Sequence, residues 1–371
     1  MMILLKNVVK NSNLVPRLTL NFSNQNSSRQ IFSAKFHDID LLKDREAKQK
    51  LLISDIDFFK KNIKDNYEKH GIKNIFDEEL LQAIVLTSND MELKLAQNLI
   101  LDFLSDELRY EQKQFNKLLK FWYRKCFTLN SVDLAQSMWT NSQVQKVFAL
   151  NSVKNNRLYF DLLFINEMYD KILEEFLNDE EKYSQEQDVL LIVSLSCYKQ
   201  NTKDSLEMCM KHVIPNISAS RIVTARAIKV AALLAYNLGE YAVAQSLVKK
   251  QNAKKQTFNE NMELLILIAV GRIDQAVNMF QARMMPKPHF TYPEQIMYST
   301  VEALMKAVRD QGDKDLQNQM MEMVVAIDKS EVAEIVSYDL EDMILMELEP
   351  ASEKPDLKRT RYKRLNRDSQ E

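Results

Sequence analysis

The chain predicts an all-α fold, an α-solenoid of degenerate helical hairpins. The first observation is a recurring turn. Gly239-Glu-Tyr-Ala-Val-Ala244 and Gly271-Arg-Ile-Asp-Gln-Ala276 each place an alanine five residues after a helix-stopping glycine. Looser copies run from Asn130 to Ala135, Glu167 to Ile172 and Gln200 to Ser205. With Ala96 at the head, the markers at 96, 135, 172, 205, 244 and 276 lie 32 to 39 residues apart and 36 on average. The second observation is composition: only four glycines and seven prolines in 371 residues, and a preponderance of the helix formers Leu, Met, Lys, Glu and Gln. The third is where the glycines fall. Gly239, Gly271 and Gly312 sit where one helix turns into the next, and Gly71 reads as a C-cap after Lys69 and His70. Such arrays bind along an open face, which argues against an enclosed active-site pocket.

Residues 1–35 hold Lys6, Lys10, Arg17, Arg29 and Lys35 and no acid, and are rich in Ser and Asn. Ile3, Leu4, Leu5, Val8 and Val9 can share one helical side, with Lys6 and Lys10 at its edge. This suits a mitochondrial transit peptide; an unstructured tail without acids is the plainer alternative. Arg29-Gln-Ile-Phe-Ser33 is a candidate to precede a processing site. The apolar run is too short for a membrane span.

One amphipathic helix is expected over about 41–70, with Leu52, Ile56, Phe59 and Ile63 on its buried face, capping the first repeat. First helices of the hairpins are expected near 77–88, 112–127, 155–165, 186–199, 220–237, 257–270 and 293–309. Second helices are expected near 91–104, 131–140, 168–178, 202–213, 240–250, 272–284 and 314–327, and a last capping helix near 330–347. A small residue at the marker position lets the two helices of a hairpin cross closely. Glu240 and Asp274 open second helices, where a carboxylate suits the helix dipole. The organisation is thus a transit peptide at 1–35, a solenoid with capping helices at 36–347, and a basic disordered tail at 348–371. Pro350 and Pro355 break the helical pattern, and the basic run Lys358–Arg367 suits either an RNA contact or simple solvation.

The net charge of -2 conceals basic ends around a body of about -10, so any nucleic-acid site must be a local stripe rather than a bulk field. Three cysteines, Cys126, Cys197 and Cys209, do not describe a disulfide framework. Cys197, Cys209 and His212 can approach one another on a hairpin, but no fourth metal ligand is evident. Asp55 and Asp57 point to different helical faces. No phosphate-cradling loop and no nucleophile–base constellation is present, so no cofactor, metal or catalytic residue is expected.

Gly271, Ala276, Phe280 and Met284 resemble the second half of a pentatricopeptide repeat, in which Ala, an aromatic and Met follow the turn at set intervals. Further matches are collinear. They include Glu79-Leu80, Leu95-Ala96-Gln-Asn98-Leu-Ile100, Leu163-Phe164-Ile165, Cys197-Tyr198-Lys199-Gln-Asn201 with Ser205 and Cys209, and Ser220-Arg221. Over roughly residues 40–290 the ordered set resembles the pentatricopeptide repeat domain protein 2 family. That resemblance implies a matrix protein acting in maturation of mitochondrial transcripts, notably the cytochrome b message, with respiratory chain function depending on it indirectly. It also implies a base-reading position about ten residues before each turn, here Asn261, Lys229, Arg157 and Lys120. Asn261 suits a base; the others suit phosphate.

A basic stripe stands apart from the resemblance. Lys113, Lys117, Lys120 and Arg124 repeat at four, three and four residues on one helix, while Phe115, Leu118, Leu119 and Trp122 take the packed face. Phe121 and Tyr123 flank it as candidates to stack on bases. Arg226 and Lys229 form a smaller basic pair. A solvated charged face is the alternative for both. The expected partners are mitochondrial RNA and a separate nuclease or processing complex. The rival expectation is a protein–protein scaffold or a mitochondrial ribosome-associated subunit, favoured by the acidic body.

Overall fold

The computed structural model describes residues 31–105, 112–148, 153–217, 222–250, 257–284, 294–327 and 333–348. The expectations for residues 1–30 and 349–371 lie outside them. Contacts gather the described residues into two compact units, 31–192 with 347–348, and 193–346. Both are α-helical, the second with one two-stranded ladder.

In the first unit, residues 31–38 lead into α1 (Ile39–Leu52) and α2 (Ile56–His70). The single helix expected over 41–70 is therefore two. Asp55 is extended and its carboxylate accepts the Phe58 amide at 2.9 Å, so it caps a new helix instead of continuing the old one. The break also disperses the expected face: Leu52 is 77% exposed, and of the four named residues only Ile63 is buried.

After a 3₁₀ turn at Gly71–Asn74 come α3 (Asp77–Val85), α4 (Asp90–Ser105), α5 (Gln112–Leu129), α6 (Val132–Trp139) and α7 (Ser142–Phe148). Then follow α8 (Val153–Ile165), α9 (Tyr169–Asn178), α10 (Glu180–Tyr183) and the start of α11 (Gln187–Gln200). The short α7 and α10 were not expected. α3 packs on α5 and α5 on α8, while α4 packs on α6. First helices thus line up with first helices and second with second, as a hairpin array requires. Between them lies an aromatic layer in which Trp139 stacks on Tyr159 with centroids 4.2 Å apart, and Trp122, Phe160 and Tyr183 meet their neighbours edge-on.

The second unit runs from the end of α11 through α12 (Lys203–Met208), α13 (Ile222–Asn237), α14 (Tyr241–Lys250), α15 (Thr257–Ala269) and α16 (Ile273–Met284). It closes with β1 (Glu294–Met297), α17 (Tyr298–Gln311), α18 (Lys314–Ile327), β2 (Ala333–Val336) and α19 (Leu340–Leu345). The helix expected over 202–213 stops at Met208 and continues as a π turn, Cys209–Val213, and a 3₁₀ turn, Ile214–Asn216. Pro215 lacks an amide proton and crowds the carbonyl four residues back, so the α ladder cannot pass it. The last helix expected over 330–347 is corrected to a strand followed by a short helix, and the start of the helix expected at 293 is a strand as well. β1 and β2 pair in parallel, Glu294 opposite Ala333 and Met297 opposite Val336. Beneath the ladder, Phe280, Ile296, Val301, Leu304, Met320 and Ala333 share one core.

The turns explain the period. Asn130, Glu167, Gly239 and Gly271 have φ of 56, 58, 78 and 75°. At each, the following amide reaches the carbonyl five residues back: Ser131 to Cys126 at 2.9 Å, Met168 to Leu163 at 3.0 Å, Glu240 to Ala235 at 2.8 Å and Arg272 to Leu267 at 2.9 Å. This is the Schellman closure, which satisfies the carbonyls left open by the ending helix. Five residues after each left-handed position stand Ala135, Ile172, Ala244 and Ala276, all buried. The remaining expected turn is displaced by one residue. Asn201, not Gln200, is left-handed, and Leu206 is the buried residue five beyond it. Ser205 instead completes a capping box with Thr202, each hydroxyl accepting the other's amide at 3.0 Å.

Candidate nucleic-acid interface

α5 carries the basic stripe. Phe115, Leu118, Leu119 and Trp122 are buried, as the periodicity predicts. The opposite side is divided. The Lys117 side chain is 51% exposed and lies 3.9 Å from the Glu78 carboxylate. Lys120 and Phe121 are half-buried, with the Arg45 and Arg124 guanidinium carbons each 5.4 Å from the Phe121 ring centre. Side-chain detail for Lys113 lies outside the described residues.

The C-terminal end of the stripe is closed over by residues 37–46. Arg124 is buried; its Nε donates to the His37 carbonyl at 3.1 Å and its Nη2 to Asp38 at 2.8 Å. Burial pushes its guanidinium down from the ordinary value, and Asp38 opposes that shift. Arg124 therefore does not belong to an open stripe. Tyr123 is corrected too: it is buried, with Trp122 and Trp139 edge-on at 5.1 and 6.3 Å, and offers no face for a base.

The other named residues are likewise held within the fold. Arg157 is buried, with Nη1 on Asp188 at 2.8 Å, Nη2 on the Phe36 carbonyl at 2.5 Å, and its guanidinium 4.4 Å from the Phe36 ring centre. Asn261, the expected base-reading amide, is 0% exposed. It donates to the Thr257 and Gln295 carbonyls at 2.7 and 3.1 Å and accepts the Met297 amide at 2.9 Å. It clamps β1 to α15, so its reading groups are spent. Arg226 donates to the Met346 carbonyl, and burial pushes its guanidinium down to about 10. Lys229, half-buried, sits 5.5 Å from the Phe258 ring centre, and burial and Arg226 lower its ammonium. Arg226 keeps its charge at neutral pH.

Two buried cations escaped the sequence reading. Lys125 donates to Glu46 at 2.8 Å and to the Thr87 carbonyl at 2.9 Å. Burial would raise the Glu46 carboxyl, but Lys125 and Lys50 together hold it below the ordinary value. Arg283 bridges Glu260 at 2.8 Å and Glu294 at 3.2 Å. A signal existed for each. Lys125 continues the buried 118–122 spacing, and Arg283 follows Phe280 by three, so a charge stood at a core position.

Among the described residues, no group of three or more His, Cys, Asp or Glu is placed to hold a metal, and no helix is long and apolar enough to cross a membrane. The hydrogen bond with Cys209, together with burial, pushes the Cys197 thiol well above its ordinary value, and burial does the same to Cys126. Neither is a ready thiolate.

No protein-family model and no solved structure matches the chain. Three curated proteins are similar, each named pentatricopeptide repeat-containing protein 2, mitochondrial. The one from Pongo abelii is 23% identical over 220 residues, covering 58% of this chain and 56% of its own length. That from Homo sapiens is 22% identical over 208 residues, 55% and 52% respectively, and that from Mus musculus 24% over 212 residues, 56% and 54%. The chain thus spans about half the length of the curated relatives it matches.

Proposed function

We propose that the protein binds RNA in the mitochondrial matrix and acts in transcript maturation, with messages of the cytochrome b class as its targets and respiratory chain function depending on them. It does so without chemistry of its own, by covering or presenting a segment to a separate nuclease or processing complex. The observation that carries this reading is the similarity to three mitochondrial pentatricopeptide repeat proteins, in a chain built of hairpins at that repeat's period. Lys117 and Lys120, with Lys113 on the same helical face, would meet phosphate. Arg226 and Lys229 are a second cationic pair. UV crosslinking of the tagged protein in intact mitochondria tests the reading. Reads concentrated on one messenger precursor are expected; reads confined to ribosomal RNA, or none above background, would refute it.

One observation favours a second reading, a protein scaffold or ribosome-associated subunit. Arg124, Arg157 and Asn261 all spend their polar groups inside the fold. A ribosomal partner would be seen as sedimentation with ribosomal fractions that survives nuclease treatment.

A further inference from the structure

We propose that the chain is cut between Gln30 and Ile31, and that the new α-ammonium group of Ile31 seats on the buried carboxylate of Asp161. This rests on the acid-free N-terminal segment acting as an import peptide, with its end placed at Gln30 instead of residue 35. Asp161, on α8, is 0% exposed. Its Oδ1 accepts the Ile31 N–H at 3.1 Å, and its Oδ2 meets the Phe32 N–H at 3.4 Å and His37 Nε2 at 2.7 Å. His37 Nδ1 is buried and has no hydrogen-bond partner. An ionised carboxylate only accepts, so His37 donates to Asp161 through Nε2.

Three donors, two backbone amides and the His37 ring, therefore surround a buried carboxylate. The neighbouring cations face other acids, Arg124 on Asp38 and Arg157 on Asp188. An anion at such a site is costly unless a positive charge joins it. Of the three donors, the Ile31 nitrogen is the one that peptide cleavage turns into a cation in place. Arg29 stands two residues before the bond, within an acid-free segment of the composition import peptides have.

The step is a hydrolysis by a processing endopeptidase. The Gln30–Ile31 C–N bond breaks, the oxygen of water goes to the Gln30 carbonyl carbon, and its protons pass to the Ile31 nitrogen. A carboxylate on Gln30 and an ammonium on Ile31 result, with no change of oxidation state.

Packing sets the order of events and the place of the cut. Ile31 and Phe32 are buried, and Leu348 holds the segment by accepting from Ser33 at 3.0 Å and donating to the Ile31 carbonyl at 2.9 Å. Cleavage must then precede docking, while the chain is still unfolded after import. A cut two residues later would remove Ile31 and Phe32 and two of the three donors on Asp161.

The first test is the amino terminus of C-terminally tagged protein recovered from mitochondria, read by mass spectrometry. A start at Ile31 is expected; imported protein starting elsewhere overturns the proposal while leaving import intact, and protein found outside mitochondria overturns both. The second test uses protein released at Ile31 from a removable fusion, with and without Nα-acetylation, in the native sequence and with Asp161→Asn. Acetylation should lower the folded-to-unfolded ratio at pH 7 at least about tenfold in the native sequence and leave the Asp161→Asn variant unchanged. Equal stability of the free and acetylated native forms overturns the proposal, even where the Asp161→Asn variant fails to fold.

Discussion

Glu186 shows how far burial, helped by the nearby Asp188 charge, can move a residue's chemistry. Burial pushes its carboxyl up to about 7, against the opposing pull of the Asn156 amide, 2.6 Å from Oε1, and of Lys182. Its second oxygen has no hydrogen-bond partner. The sign of the effect follows from proton counting. Between about 4.5 and about 7 the folded chain holds a proton that the unfolded chain has released, so stability falls as pH rises through that window. Glu186→Gln keeps an acceptor for Asn156 and removes the charge. It should stabilise the protein at pH 8, by roughly 3 kcal/mol at most, and change nothing at pH 4. Thermal melts at the two pH values decide it, and a gain of equal size at both would point to packing instead of ionisation. The same residue-scale economy governs the turns. Asn130 and Glu167 adopt the left-handed conformation that Gly239 and Gly271 adopt elsewhere, at a backbone cost of roughly 1–2 kcal/mol. Asparagine tolerates it better than glutamate does.

At the level of elements, α5 is both a packing helix and the candidate RNA helix, and the division falls along its length. Reversing Lys117 and Lys120 to Glu should weaken RNA binding about tenfold or more at low salt and flatten its salt dependence, with an unchanged thermal melt. Arg124→Glu should behave oppositely. It sets an acid against Asp38 in a buried site, so the melting temperature falls whether or not RNA is present. Filter binding and melts on the two variants separate the roles; a lower melt for the lysine pair would return them to the packing side. The elements themselves were largely legible in the sequence. The marker spacing found the hairpins because a Schellman turn and the crossing that follows it leave a small or apolar residue at a fixed interval, and the packed face of α5 followed from its period. Three things were not legible. The α1–α2 break rests on one capping carboxylate, Asp55, which local periodicity hides. The β1–β2 ladder joins residues 39 apart, and no local pattern specifies such a pairing. The coverage of Arg124 and Arg157 comes from residues 36–38, far from both in sequence, so neither the charge spacing that chose Arg124 nor the repeat position that chose Arg157 could reveal it.

For the molecule as a whole, the consequence of a hairpin array is that stability is local. Each helix pair draws its packing from its neighbours, and an array of this length need not unfold in one step. The two tryptophans allow this to be measured, because Trp122 and Trp139 are both buried in the unit of residues 31–192. Their fluorescence reports that unit, whereas far-ultraviolet circular dichroism sums the helices of both. In a urea titration the two signals should therefore give different midpoints, and coincident curves would show that the units unfold together. RNA sharpens the comparison. A ligand stabilises what it binds in proportion to the logarithm of its concentration over its dissociation constant. Lys117 and Lys120 belong to the tryptophan-bearing unit, so RNA engaging them should shift the fluorescence midpoint upward more than the remaining dichroism transition. A shift confined to the dichroism would move the binding surface to the unit of residues 193–346, where Arg226 and Lys229 lie, and would release α5 from any part in it.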